Sequence, residues 1–344
     1  MAEKLTNIKK KINSNTYLLM ITIVLFIVMY LAGMIIFDDK GFSKPQTFFN
    51  LLINNASLLV IGCGMTMVMI TGGIDISVGS VVALVCMVMA DLMENKGVSA
   101  YVAVGVAISI GLAFGIVQGY LIAYLNIQPF IVTLAGLFFG RGLTAVISTE
   151  MIAIKNELFT TWAQHKFEFP FGSYSKRGKF IPAFIYPTVI IAIIVLIIVI
   201  IMMKYSKFGR KIYAIGGNQQ SAQMMGLNVK RTKFLAYVVE GFLVGVGGVL
   251  FCLNSCAGFV EQAKGLEMDA ISAAVIGGTL LSGGVGNPVG TFFGVLITGT
   301  IASLITTQGT LSSWWTRIVL SALLCFFIVL QAIFTKMKKK KSGN

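Results

Sequence analysis

The stretch AFIYPTVIIAIIVLIIVIIMM, Ala183 to Met203, carries no charge and decides the class of fold. A bilayer core about 30 Å thick needs roughly 20 helical residues to cross, and this run supplies them without a break. Reading outward from it, further apolar runs lie at 17–36, 48–71, 74–93, 100–125, 130–148, 234–256, 269–284, 288–307 and 314–334. The expectation is an all-α polytopic membrane protein of about ten transmembrane helices. The runs 74–93 and 269–284 each hold Gly and an acidic residue, so each is read as either a full crossing or a broken, re-entrant helix. Lys9, Lys10 and Lys11 precede the first run as a cleavable signal would require. The run is longer than the 7–15 residues of a signal core and no A-x-A site follows it, so it reads as a retained span.

Composition agrees. The 344 residues are 56% hydrophobic and 12% charged, against about 25% charged in an average soluble protein. Twenty-seven basic and 13 acidic residues are too few to cover a soluble surface of this size, and disordered chains are apolar-poor. The net charge of +14 sits at the ends of the apolar runs, which points to orientation in a membrane and not to nucleic acid. With both termini inside, the inner segments hold 16 Lys and Arg against Glu3 alone, and the outer loops hold 9 against eight acids. That is the positive-inside pattern. It divides the chain into a cytoplasmic N-terminus at 1–16, one membrane domain at 17–334 and a basic cytoplasmic tail at 335–344.

Two loops are large. The outer loop 149–182 carries His165, which reads as a solvated side chain, with Trp162 and Pro170. The inner loop 204–233 carries Arg210, Lys211 and five more basic residues and no acid. Its middle, 215–226, reads as a short capped helix. Gly216 and Gly217 break the chain, Asn218 is an N-cap candidate and Gly226 suits a C-terminal cap. With Ser221, Ala222, Met224 and Met225 it would either rest on the bilayer surface or dock a soluble partner. Cys63, Cys86, Cys252, Cys256 and Cys325 all fall in apolar runs and read as small hydrophobes. Cys252 and Cys256 are four apart, but two ligands without a nearby His or carboxylate are too few for a metal.

Two Gly-rich stretches look alike: Thr71 to Ser80, TGGIDISVGS, and Ile276 to Gly286, IGGTLLSGGVG. Such pairs mark the broken helices of transporters built from inverted repeats. Neither is a phosphate loop, since the one Gly-Lys pair, Gly178–Lys179, is followed by Phe180. No HExxH or GxSxG motif suggests catalysis. Of the charges in or near spans, Asp91, Asp269 and Arg317 sit near predicted ends and read as interfacial snorkelling or ordinary helix ends. Asp75 either caps the amides of Ser77 and Val78 or braces a cytoplasmic gate. Arg141 and Glu240 lie deeper, and either pair with each other or line a transport path. Asn54, Asn55, Thr66, Gln118, Thr133, Asn254 and Thr279 offer hydrogen bonds to a hydroxyl-rich solute, or bond neighbouring helices.

Gly72 to Ser80, GGIDISVGS, resembles the GGIDLSVGS signature of ribose-type sugar permeases of ATP-binding-cassette importers. Pro129 to Leu134, PFIVTL, leading to Arg141–Gly142, is similar to their P-F-I-x-T-L…R-G segment, although Gly140 stands where that pattern carries a bulkier residue. Tyr213 to Asn218 with Ser221–Ala222 and Met225–Gly226 resembles their coupling segment. Glu267 to Ile271, Gly277 to Gly286 and Gly309 to Thr316 are similar to the galactofuranose subgroup. The likeness runs from about 48 to 331. It implies a type II importer architecture in the bacterial inner membrane, with 216–226 as the coupling helix. It implies three partners: a cytosolic ATPase that binds ATP and magnesium, an extracytoplasmic sugar-binding protein, and a second permease as heterodimer or homodimer. This chain would bind no cofactor of its own. The rival reading is an ion-coupled secondary transporter with Asp75 or Glu240 at its ion site.

Overall fold

The computed structural model describes residues 14–174, 178, 180–310, 312 and 314–342; Lys9–Lys11 lie outside them. Its helices are α1 (Ser14–Ile36), α2 (Pro45–Ile70), α3 (Val78–Glu94), α4 (Ala100–Ala123), α5 (Pro129–Ile147), α6 (Glu157–Gln164) and α7 (Pro187–Tyr205). Then come α8 (Lys207–Gly217), α9 (Gln219–Met224), α10 (Val229–Ser255), α11 (Leu266–Ile276), α12 (Pro288–Gln308) and α13 (Trp314–Ser342). Prolines begin α2, α5, α7 and α12, where the missing N–H has no helical acceptor to lose and the ring pre-sets φ. This is why the run at 183–203 becomes helical only from Pro187. Residues before it belong to a hairpin, β2 (Phe167–Tyr174) with β3 (Phe180–Ile185). A second two-stranded ladder pairs β1 (Ile152–Ala153) with β4 (Ala257–Gly258).

Eight helices among the described residues are long and apolar enough to cross a membrane. They match eight of the ten expected spans. The other two differ, for one physical reason. The chain leaves α2 through Gly72 at φ +81° and runs through 73–77 as neither helix nor strand before α3 begins at Val78. After α10 it likewise re-enters as an irregular segment, 256–265, before α11 begins. The run 74–93 is therefore a non-helical entrance followed by a helix of about 25 Å, and 269–284 holds most of a helix of about 16 Å and the turns that follow it. Non-helical backbone at membrane depth persists only where protein buries it. α3 is accordingly buried on all sides, as is most of α11. The starts of the two short helices meet: Gly79 packs against the Ala263 carbonyl and Glu267.

Small residues bring the central helices into backbone contact. Gly111 and Gly115 of α4 touch Gly241 and Gly245 of α10 directly. Ser57 of α2 donates to the Gly247 carbonyl of α10 at 2.7 Å. Gly277 meets Gly290, and Gly294 meets Ala273, along the α11–α12 seam. By contrast α1, α5 and α13 are largely exposed and form the rim of the bundle, and α4 is exposed everywhere but on its glycine face. On the end carrying the hairpin, Gln46 pins Phe184 through its amide N–H at 2.8 Å, and Glu94 accepts the amides of Lys155 and Asn156. His165 is exposed, edge-on to Phe167 at 4.8 Å.

Gly115→Val pushes a branched side chain into the backbone of α10. Overpacking costs about 1–3 kcal/mol, and here no flexible side chain can yield. The expected result is a drop of several degrees in the melting temperature of the detergent-purified protein. Gly105→Val, where nothing lies within 4 Å of the added carbon, leaves it unchanged.

Candidate functional site

The loop between α7 and α10 folds as an elbow of two helices, each set by a local cap. Ser206 Oγ accepts the Gly209 amide at 3.0 Å to start α8. Asn218 Oδ1 accepts the Ser221 amide at 2.9 Å to start α9. Gly226 turns at φ +78°, and Asn228 Oδ1 accepts the Arg231 amide at 2.9 Å to start α10. Asn218 and Gly226 thus hold the positions expected of them. The single helix expected over 215–226 is instead α8, whose last turn contains Gly216 and Gly217, and a six-residue α9. Ile215, Ala222 and Val229 bury against one another with Leu227. That small core leaves Met224 and Met225 outside, 89% and 69% exposed. Arg210 is exposed and donates to the Tyr205 carbonyl at 3.1 Å, and Lys211 is half-buried.

The elbow touches both glycine breaks. The Gly284 amide donates to the Ile70 carbonyl at 2.8 Å, joining the break after α2 to the break before α12. Gly283 and Gly284 take left-handed φ of +84° and +78° to make this approach, a conformation glycine adopts without steric cost. Gly216 lies directly on the Ile70 carbonyl and the Gly284 amide, so a β-carbon there would collide with both. Tyr213 Oη donates to the Gly286 carbonyl at 2.8 Å. Beside this junction a cavity of about 590 Å³ opens between α7, α8 and the start of α12, lined by Lys204, Arg210, Tyr213 and Asn287.

The candidate path residues do not converge on one channel within this chain. Asp75 Oδ1 accepts both the amide and the hydroxyl of Ser77, at 2.7 and 2.6 Å. Ser77 Oγ also accepts from Gln118 Nε2 at 2.8 Å. Asp75 is therefore a cap at the start of α3, bonding the Ser77 amide and not that of Val78. Thr66 meets Thr291 at 2.6 Å across the α2–α12 seam. Thr133 bonds its own helix at the Pro129 carbonyl, and Asn55 bonds the Leu51 carbonyl. Asn54 and Asn254 are exposed and share a recess of about 250 Å³. Thr279 is buried at the second break with its hydroxyl unpartnered among the described residues.

Arg141 and Glu240 do not pair. Arg141 Nη1 donates to the carbonyls of Val260 and Gln262, the latter at 2.7 Å, and so holds the re-entrant segment 256–265 in place. Glu240 is fully buried, faces Gly64 of α2, and has both carboxyl oxygens unpartnered among the described residues. Gly140 fits its place because α3 comes close: a β-carbon there would meet Ser80. Sequence reading missed the segment 256–265 and its brace Gln262, whose Nε2 bonds Ser255 and Ala257 and whose Oε1 accepts the Phe259 amide. The signal available was the loop's own composition, with Gly258 and Gly265 flanking a run too polar to be a span.

Residues 47–328 match the family described as branched-chain amino acid transport system, permease component. The inner membrane ABC transporter permease protein YjfF of Escherichia coli is 39% identical, over 95% of each chain. The ribose import permease protein RbsC of Bacillus subtilis is 35% identical over 89% of this chain and 90% of its own. The fructose import permease protein FruG of Bifidobacterium longum is 32% identical over 90% of this chain and 88% of its own. No solved structure matches.

Arg141→Ala removes the donor from two carbonyls held inside the bundle. An orphaned buried acceptor costs about 1–3 kcal/mol. The expected outcome is a melting temperature lowered by several degrees in the detergent-purified protein. A near-normal value would remove Arg141 as the brace of 256–265.

Proposed function

The chain belongs to this permease-component family, and we propose that it is the membrane subunit of an ATP-driven importer for a monosaccharide. The observation that carries the reading is the elbow of α8 and α9, locked by backbone contacts to both broken segments and presenting Met224 and Met225 outward. The substrate class is supported by relatives whose names specify ribose and fructose, each matching about nine-tenths of this chain. Galactofuranose is the finer reading, supported by the resemblance at 267–271, 277–286 and 309–316.

In this reading a cytosolic ATPase pair binds ATP and magnesium and engages the elbow around Arg210, Lys211, Asn218, Ser221, Ala222, Met224 and Met225. Closure of the pair pushes α8, and Gly216 and Tyr213 pass the displacement to the two breaks. An extracytoplasmic binding protein delivers the sugar to the opposite end. A second permease, as heterodimer or homodimer, completes the pore, since this chain's polar residues do not form one alone. Both termini lie in the cytoplasm of a bacterial inner membrane, in keeping with the charge bias of the loops. The chain has no hydrolytic role and binds no cofactor. A second reading, ion-coupled transport, is favoured by one observation: the buried, unpartnered Glu240 carboxyl would suit an ion.

The test is uptake of labelled sugars into vesicles holding the complete transporter. Uptake is expected to require nucleotide on the elbow side and to survive dissipation of ion gradients; uptake without nucleotide that collapses with the ion gradient would establish the second reading. Met224→Asp with Met225→Asp, or charge reversal at Arg210 and Lys211, is expected to abolish ATPase engagement while insertion is normal. The expected loss is on the scale of an interface hot spot, about 2 kcal/mol or more. Undiminished ATPase binding would count against the docking role.

A further inference from the structure

At the end of α10 farthest from the elbow, a cavity of about 570 Å³ lies between the re-entrant segment, α11 and the start of α13. Ligand sites commonly measure about 300–1,000 Å³. Its walls combine two kinds of surface. Phe251 and Phe259 are aromatic faces, and Asp269 and Arg317 are an acceptor and a donor. The sequence alone reads Asp269 and Arg317 as interfacial snorkelling or ordinary helix ends. The structure places them in one cavity, on helices almost 50 residues apart in the chain.

Of the four charged residues on its walls, Glu261 and Lys264 pair with each other at 2.7 Å, while Asp269 and Arg317 hold unused bonding capacity. The Asp269 amide donates to the Gly265 carbonyl at 3.1 Å, but its carboxyl makes no hydrogen bond or ion pair among the described residues. Arg317 Nη2 donates to the Lys264 carbonyl at 3.3 Å, and its guanidinium lies 5.7 Å from the Trp314 ring. The remaining donors have no partner among the described residues. The floor, in contrast, is satisfied and rigid: Gln262 spends its amide group on the segment itself. The recess holding Asn54 and Asn254 shares Phe251 and Ser255 with this cavity, so the two are neighbours.

We propose that this cavity is a subsite on the permease that takes one sugar ring directly, with Asp269 and Arg317 on its hydroxyls and Phe251 and Phe259 on its apolar face. The inference rests on the monosaccharide reading above and deepens it. A hydroxyl both donates and accepts, so it bonds a carboxylate and a guanidinium together. A sugar ring also has a C–H face that excludes water against an aromatic ring. An amino-acid zwitterion would also pair with Asp269 and Arg317, so the choice of a sugar rests on the two aromatic walls and on the ribose and fructose relatives. Asn254 and Asn54 lie along the way onward, where a ring leaving the cavity would next find amides.

The experiment uses the permease assembled with its partner ATPase, without binding protein, and tritiated D-galactose and D-ribose as probes. Saturable binding of at least one is expected, weakened roughly tenfold or more in Asp269→Asn and Phe251→Ala and recovered in Phe251→Tyr. Asp269→Asn preserves shape, so the test stands even where Phe251→Ala fails to assemble; co-elution with the ATPase reports assembly. Equal affinities in all variants, or no saturable binding to the wild type, would overturn the subsite while nucleotide-driven uptake upheld the importer. Loss of binding-protein stimulation without any direct sugar binding would likewise overturn it, making the cavity a protein-docking surface. Absence of nucleotide-driven sugar uptake by the wild-type transporter would overturn both.

Discussion

The Ile70 carbonyl and the Gly284 amide form one hydrogen bond, and the architecture turns on it. Breaking a helix inside a bilayer strips backbone groups of their partners, at several kcal/mol for each group left unsatisfied in hydrocarbon. The two glycine breaks, after α2 and before α12, are joined by this bond, which satisfies one carbonyl of the first and one amide of the second. Gly216 then closes over the joint, with no side chain to hold it away. Segments near 70, 216 and 284 therefore meet at one point. An outside force on α8 reaches two transmembrane helices through backbone atoms, which cannot slip between rotamers as side chains do.

The same economy governs the buried polar groups. Asp75 is tied to Ser77 and Ser77 to Gln118, so a carboxylate sits deep in the bundle as a cap on α3. Arg141 holds two carbonyls of the re-entrant segment where a carboxylate partner seemed the natural choice. Glu240 departs furthest from it: on α10 against α2, it has both carboxyl oxygens unpartnered among the described residues, where the Thr279 hydroxyl and one Glu267 oxygen are single orphans. A group of this kind is expensive in a membrane and usually belongs to function.

Much of this was legible in the sequence, for reasons that differ by element. Eight spans follow from apolar length alone. Asn218 and Gly226 were readable because capping is local chemistry, settled within three or four residues. The two glycine breaks were recognisable as alike, but their mutual contact was not, since nothing in a sequence pairs position 70 with position 284. The ambiguity at 74–93 and 269–284 had a physical origin: a short buried helix joined to a non-helical segment has the same apolar content as a span. Arg141 and Glu240 misled because opposite charges suggest a pair, whereas carbonyls of irregular backbone are equally good acceptors. The cavity beside α13 was invisible, because Phe251, Asp269 and Arg317 become neighbours only once 256–265 folds back into the bundle.

Spin-label distances at Met224, Ser282 and Lys96, each replaced by Cys in the assembled transporter, test the central claim most directly. If the elbow and the breaks move as one body, the 224–282 distance stays constant through the ATP cycle while both distances to 96 change. A 224–282 distance that changes while 282–96 stays fixed would contradict the account, because the elbow would then be moving without the helices it is held to drive.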